Sequence, residues 1–312
     1  MRRRSRVLAV AAGAVALGAV GGGVAFAAFR GTTTNPANTF SAAPDFVAPA
    51  SAGSVIMRNG GNAPGGIKQG AAYYVYAGIS DSGNPSSGIG TVTADVSTIT
   101  SGKTADPLTS TGGPWTVAGT SYNYRSANVL TAGSPLAGAK SYSLALADNA
   151  SNSTTAGGYS VTLDNTQPAA SDIQGVAGGT AGAVDPGDKL VYTYSEAIDP
   201  TTIKAAWDGT STAITVTITS ANPGVLTTSA NLGSVDLGQK AYNAGSATFN
   251  ATMTMSGAAV TVTLGTQTGG GGSRAMSAGT LTWTPAAAAL DPAGNACTTT
   301  AKAETGASDT DF

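Results

Sequence analysis

Beyond its N-terminal stretch the chain alternates apolar and polar positions in short runs. Ile214, Val216 and Ile218 are interleaved with Thr215, Thr217 and Thr219, and Leu190, Tyr192 and Tyr194 with Val191 and Thr193. Neighbouring side chains on an extended strand point to opposite faces, so this period of two marks strands with one face turned inward. Val92, Ala94 and Val96 repeat it, as do Tyr142, Leu144 and Leu146, and then Tyr159, Val161 and Leu163. Phe249, Ala251, Met253 and Met255 alternate up to Ser256-Gly257, after which Val260, Val262 and Leu264 resume the phase; this predicts a hairpin. No run shows an amphipathic stripe of helical period, and TPAAAAL at 284–290 is worth one short helical turn at most. Short strands separated by Gly, Asn, Asp and Pro predict an all-β chain folded as antiparallel sandwiches, since a parallel sheet would need crossover helices.

The 312 residues suffice for about two domains of ordinary size. LALADNASNST at 144–154 and AALDPAGNACT at 288–298 echo one another, each placing an aspartate before an Asn-containing polar turn near the end of a run of strands. Such echoes fit two sandwiches in tandem. The expected organisation is a signal peptide over 1–27, a flexible Ala/Pro-rich linker over 28–51, one sandwich over 52–168 and a second over 169–312. The second carries a flexible Gly-rich loop, GTQTGGGGSRAMSAGT at 265–280, which lacks the Lys-Ser/Thr ending of a phosphate-binding loop.

The leader is read from Arg2, Arg3, Arg4 and Arg6, followed by an apolar run from Val7 to Phe29, with Ala25-Phe26-Ala27 as a cleavage site ahead of Ala28. That run approaches the roughly 20 residues of a membrane-spanning helix, but Gly21, Gly22 and Gly23 interrupt it, so cleavage is expected rather than retention as an anchor. The glycines, Ala27-Ala28-Phe29 and Phe40 also resemble the export leader of the TasA and camelysin group of biofilm-matrix and surface proteins, which a SipW-type signal peptidase handles. The resemblance implies export from a Gram-positive bacterium. It is confined to the leader, and the rest of the chain does not read like that family's fibre domain.

YSVTLDNTQP at 159–168 ends a strand in Asp164, Asn165 and Pro168. Asp164 and Asn165 can bond to nearby backbone, while Pro168 lacks a donor and biases Gln167 to an extended conformation, so the stretch reads as a domain junction. It resembles the junction of bacterial immunoglobulin-like (Ig-like) repeats, in which Asp-Asn-Thr-x-Pro closes one domain and the next begins after the proline. TYSEAIDPTTI at 193–203 resembles a segment of related surface domains, with Gly187, Asp188, Ser195, Glu196, Ile198, Asp199 and Pro200 in register. The first sandwich lacks that segment, so the resemblance implies two tandem Ig-like β-sandwiches of different subtypes. A structural calcium at the junction would need about six to eight oxygens. Asp164 supplies one carboxylate, Asp81, Asp148, Asp185, Asp188 and Asp199 lie in other turns, and no D-x-D-x-D-G loop occurs. The turn-and-linker reading is therefore preferred, and no metal ligand or cofactor is assigned.

Composition narrows the chemistry further. Histidine is absent and Glu196 and Glu304 are the only glutamates, which removes His-based acid/base catalysis and most zinc and iron sites. A serine nucleophile has no histidine to activate it, and Glu196 with Asp188, Asp199 or Asp208 reads as turn chemistry rather than a glycosidase pair, so no catalytic residue is assigned and no enzyme is expected. Without the leader, eleven Lys and Arg face seventeen Asp and Glu, a net charge of −6 that disfavours nucleic acid. Cys297 has no partner within the chain for a disulfide and is expected inside. Trp115, Trp207 and Trp283, with Tyr73, Tyr74 and Tyr76, are the candidate platforms for stacking a sugar, although Trp283 is in phase with Leu281 and reads as core. Exposed strand positions offer Thr and Ser rather than Lys or Glu, so open edges would lack the charges that block edge-to-edge pairing. The C-terminal CTTTAKAETGASDTDF carries no apolar span and no LPxTG pattern. The function these observations favour is that of an exported, non-enzymatic structural, adhesive or spacer module, secreted or at the cell surface, in the extracellular matrix. Its expected partners are copies of itself, other surface proteins or cell-wall polysaccharide, with membrane contact only through an uncleaved leader. A carbohydrate-binding β-sandwich is the runner-up.

Overall fold

Alternation becomes β-structure at every run named above. The computed structural model describes residues 45–180, 182–239, 245–270, 279–308 and 312. In the first half lie β1 (Ala50–Arg58), β2 (Gly66–Ile67), β3 (Ala72–Ser80), β4 (Ile89–Asp95), β5 (Asp106–Thr109), β6 (Trp115–Val117), β7 (Thr120–Tyr122), β8 (Tyr124–Ser126), β9 (Leu130–Thr131), β10 (Gly138–Asp148) and β11 (Ser153–Leu163). The second half holds β12 (Ala170–Val176), β13 (Lys189–Tyr194), β14 (Thr212–Ile218), β15 (Val225–Thr228), β16 (Ser234–Asp236), β17 (Ala247–Ser256), β18 (Ala259–Gly269), β19 (Thr282–Thr284) and β20 (Lys302–Ala303). The protein is all-β. One sheet runs β1-β3-β8-β5-β4-β10-β11-β2, with β9 on β3; another runs β12-β13-β18-β17-β14-β15-β16-β19-β20; β6 and β7 form a separate ribbon.

Local chemistry explains the turns. In the β17–β18 hairpin Ser256 pairs with Ala259, which leaves Gly257 and Ala258 as a two-residue loop. Gly257 has φ +59°, the left-handed value that the first position of a type II′ turn demands. The only helical turn among the described residues is α1 (Pro200–Ile203), where turn chemistry was expected; the stretch 284–290 is strand end and turn instead. Asp199 caps α1 by accepting hydrogen bonds from Thr201 N (3.1 Å) and Thr201 Oγ1 (2.6 Å), and Pro200 supplies the first helical φ.

Each half has its own core. Ile56, Tyr73, Val75, Val92, Leu144 and Val161 fill the first, and Tyr192, Val216, Phe249, Met253, Val262 and Trp283 the second. Full burial of such a side chain stabilises by about 1.5–3 kcal/mol, so the alternating inward positions fix which face of each strand points in. Both large sheets curl until their ends meet. In the first, Tyr159 donates to Ser51 Oγ (2.9 Å) and Tyr142 to Ser54 Oγ (3.1 Å), tying β11 and β10 to β1. In the second, Thr305 N donates to Asp172 Oδ1 (2.9 Å) and Gln174 Nε2 to Thr305 O (2.8 Å), tying the residues after β20 to β12. These hydrogen bonds join the two ends of each large sheet.

The chain divides into two units, Met1–Ala42 and Ala43–Phe312, and only the second contains described residues. The leader, its cleavage residues Ala25, Ala27 and Ala28, and most of the 28–51 segment lie outside them, as do 271–278 of the Gly-rich loop, whose first residues extend β18. Residue 51 falls within β1, and Asp45 and Pro49 ahead of it are already buried, because the linker segment at that point enters the first half's hydrogen-bond network. The change from one large sheet to the other falls between Leu163 and Ala170.

Candidate functional site

The sequence echo proves to be one structural device built twice. Asp148 accepts from Asn152 N and Asn152 Nδ2 (both 2.7 Å), and Asp291 accepts from Asn295 N (2.7 Å) and Asn295 Nδ2 (2.8 Å). Each asparagine also reaches a backbone carbonyl at the start of its half: Asn152 to Asp45 O (3.2 Å) and Asn295 to Asp164 O (3.0 Å). Both loops need a left-handed residue one position before the asparagine, Ser151 at φ +70° and Gly294 at φ +93°. Asp45 and Asp164 match as well. Their Oδ1 atoms accept from Val47 N and Thr166 N, and a buried proline, Pro49 or Pro168, follows at the same spacing.

A third acid completes each set, Asp81 after β3 and Glu196 after β13. The oxygens of Asp45, Asp81 and Asp148 lie within 4.8 Å of one another, and so do those of Asp164, Glu196 and Asp291. These are the described acids that could hold a cation. In the first triad all six carboxylate oxygens already accept hydrogen bonds from Val47, Ser87, Gly83, Ser86, Gly88 and Asn152. In the second, Glu196 Oε1 has no hydrogen-bond partner. Burial, followed by the charges of Asp164 and Asp291, pushes Glu196 up to about 6. Cys297 is buried beside it, and its thiol is pushed up to about 11 by burial and by Glu196, so the thiolate is disfavoured.

The other acids weighed as partners for Glu196 are elsewhere. Asp188 precedes β13 and holds its loop by accepting from Gly178 N, Gly179 N and Asp185 N; Asp208 closes a turn with Thr210. Asp199 faces the first half. There Arg58 Nη2 pairs with Asp199 Oδ2 at 2.9 Å, Arg58 Nε donates to Pro292 O (3.3 Å) and Lys68 Nζ to Gly294 O (2.6 Å). Asn62 Nδ2 bonds Thr201 Oγ1 and Gln69 N bonds Asn165 Oδ1, so the residues between β1 and β3 clasp the start of the second half. The junction residues therefore sit at this joint: Asp164 in the triad, Asn165 against Gln69, and Pro168 O accepting from Thr298 N. Sequence reasoning missed Arg58, Lys68 and Asp45, whose roles depend on residues over a hundred positions away in the chain or on a neighbour across the end of a sheet.

The aromatic candidates are largely enclosed. Trp283 and Tyr73 are core, and Trp283 Nε1 donates to Leu232 O. Trp207 is 4% exposed and edges a groove of about 510 Å³ lined by Asn62, Pro64, Pro200, Thr201 and Asp208 at the joint. Arg125 lies 4.1 Å from the ring centre of Tyr74 and 4.8 Å from that of Trp115, while Tyr76 packs edge-on to Trp115. A β-carbon on Gly113 would come 2.7 Å from the Trp115 ring, so the glycine backbone also lies against it. This ribbon-covered aromatic cluster is held by cation–π contact on the outside of the first sheet. SDSGNPSS at 80–87 follows β3 as SEAIDPTT at 195–202 follows β13, with Asn84 at the position of Asp199, but its Asn84-Pro85 bond is cis and no helical turn follows. Comparison of the chain with family models, with curated proteins and with solved structures finds no match in any of the three.

Proposed function

We propose that the chain is an exported, non-enzymatic module that serves at the cell surface or in the extracellular matrix as a stiff structural spacer, made of two Ig-like sandwiches in tandem. The observation that carries this reading is the joint: a buried ion pair and the hydrogen bonds of Lys68, Asn62 and Gln69 connect the two halves from several directions. A joint of that kind suits a protein that sets a distance. In the first half the order β1-β3-β8-β5 beside β4-β10-β11 supports the Ig-like part of the reading, since it follows the ABED and CFG arrangement of that fold; in the second half β15 and β16 lie between β14 and β19, a departure from that order.

Fractionation of the producing cell, with surface labelling and mass spectrometry of the N-terminus, tests the proposal. The expected result is a surface or medium form that begins at Ala28. A cytosolic protein that retains Met1 would overturn it. The sugar-binding alternative has one observation in its favour, the groove beside Trp207 with Asn62, Thr201 and Asp208 on its walls. Retention on a polysaccharide column that Trp207→Ala abolishes would replace the spacer reading with that one.

A further inference from the structure

We propose that Arg125, framed by Tyr74 and Trp115 on the outer face of the first sheet, binds the carboxylate of an acidic polysaccharide whose sugars are uronic acids. The inference rests on the surface-module reading and names the partner that would hold the module in place.

The site is made by the strand period and one excursion of the chain. Along β3, Tyr73 and Val75 point into the first core, so Tyr74 and Tyr76 point out. Between β5 and β8 the chain leaves the sheet as the β6–β7 ribbon, whose Trp115, Val117 and Tyr122 pack with those tyrosines and with Val55 and Met57 of β1. Arg125 returns to the sheet in β8, paired with Tyr76. Its guanidinium is thereby set over the Tyr74 ring at 4.1 Å and the Trp115 ring at 4.8 Å. Two cation–π contacts hold the charge in one place, so little freedom is lost when it takes a partner.

The rings supply no anion. Arg125 Nε is buried without a hydrogen-bond partner, and the guanidinium's polar contact among the described residues is the Tyr76 hydroxyl, a neutral group. The ion pairs among the described residues are Arg58 with Asp199 and Lys103 with Asp106. Of the 17 acids in the chain only Asp309 and Asp311 lie outside the described residues, and they stand within three positions of Phe312, which is buried in the second core. Arg125 is thus an immobilised, half-buried cation that meets no carboxylate among the described residues, although a charge in such a place ordinarily has a counter-ion. A guanidinium laid over rings presents its N–H edge, and two parallel N–H···O bonds from that edge match a carboxylate. The half-buried rims of Tyr74 and Trp115 beside it suit the C–H surface of a sugar. A uronic acid carries that surface and the carboxylate in one residue, which a phosphate chain does not. Without its leader the chain has 11 basic and 17 acidic residues, so a polyanion is repelled in general and its retention would report a particular site.

Affinity electrophoresis of purified protein without residues 1–27 tests this, in gels that contain polygalacturonate, neutral dextran or polyphosphate. Polygalacturonate is expected to retard the parent protein, and the other two polymers to leave it unmoved. Arg125→Met and Arg125→Lys should each weaken the retardation about tenfold, the second because an ammonium keeps the charge and loses the fork. Melting temperatures report whether each variant is folded; should Arg125→Met fail to fold, Arg125→Lys and a fluorescence titration of the parent decide. Trp207 and Trp283 are buried and Trp115 is half-buried, so galacturonate oligomers should give a saturable change in tryptophan emission that Trp115→Phe removes. A parent protein that polygalacturonate does not retard overturns the proposal. Equal retardation by polyphosphate, or full retardation of a folded Arg125→Lys variant, overturns it as well. A protein found at the cell surface that ignores all three polymers leaves the spacer function standing and removes only this site, whereas a cytosolic protein that binds polygalacturonate through Arg125 would keep the site and remove the surface reading.

Discussion

At the start of the first half, Asp148 and Asn152 close a loop over the carbonyl of Asp45; at the start of the second, Asp291 and Asn295 close the same loop over Asp164. Around the first, hydrogen-bond donors meet every carboxylate oxygen and Phe46 stands in solvent. Around the second, Arg58 and Lys68 of the other half arrive, Glu196 Oε1 is left without a donor and Asn165 receives Gln69. One local solution thus serves two surroundings. The Asp-x-x-x-Asn loop forms from its own residues, and its energetics depend on whether another half covers it.

Substitutions can break that contrast. The largest loss is expected for Arg58→Ala, about 3 kcal/mol in urea unfolding, because it strands a carboxylate that is 1% exposed. Arg58→Met with Asp199→Asn, which keeps the cap on α1, should recover most of it; no recovery would mean that Arg58 acts through packing alone. Next, Asn295→Ala should cost about 2 kcal/mol and Asn152→Ala about 1 kcal/mol, since the same two donors are lost from a deeper site in the second half. Equal losses would show that the covering half does not matter.

The residue before the asparagine sharpens the comparison. A β-carbon on Gly294 would lie 3.1 Å from Arg58 Cδ at a left-handed φ, so Gly294→Ala should cost about 1–2 kcal/mol, whereas Ser151→Gly in the first half relieves strain and should be neutral to stabilising. Thermal melts of the two single variants would measure this, and equal destabilisation by both would contradict it.

Glu196 gives the smallest effect. It holds its proton up to a pH of about 6 in the folded chain against an ordinary value of 4.5, so the folded state binds more protons between those values and stability rises as pH falls through that window. Partial solvent screening keeps the change small. Glu196→Gln should flatten this slope and raise the melting temperature at pH 7.5 by roughly 2 °C, while a pH slope that persists would assign it to another group.

The strands were legible because a half-buried strand writes its period into the chain: Ile214, Val216 and Ile218 in β14 and Phe249, Ala251 and Met253 in β17 point inward as their spacing requires. The turn at Asp164 was legible because its chemistry is local: Oδ1 accepts from Thr166 N two residues on. The paired aspartates Asp148 and Asp291 were visible as an echo, but Asp45 and Glu196 were not placed beside them, because nothing near them in the chain reports a contact across the end of a sheet. The contacts that close the sheets were not legible for a related reason. Neutral side chains predict a vulnerable edge only if the sheet stays open, and Tyr159 on Ser51 and Thr305 on Asp172 close it.

Residue order alone thus settled which stretches become strands and where the chain turns, since side-chain alternation, β-branching and the backbone limits of glycine and proline act between near neighbours. Which acids share a triad and which loop meets Arg58 were decided by the folded chain. Those contacts join residues far apart in sequence, and their energies depend on desolvation that exists only after the sheets have curled and packed.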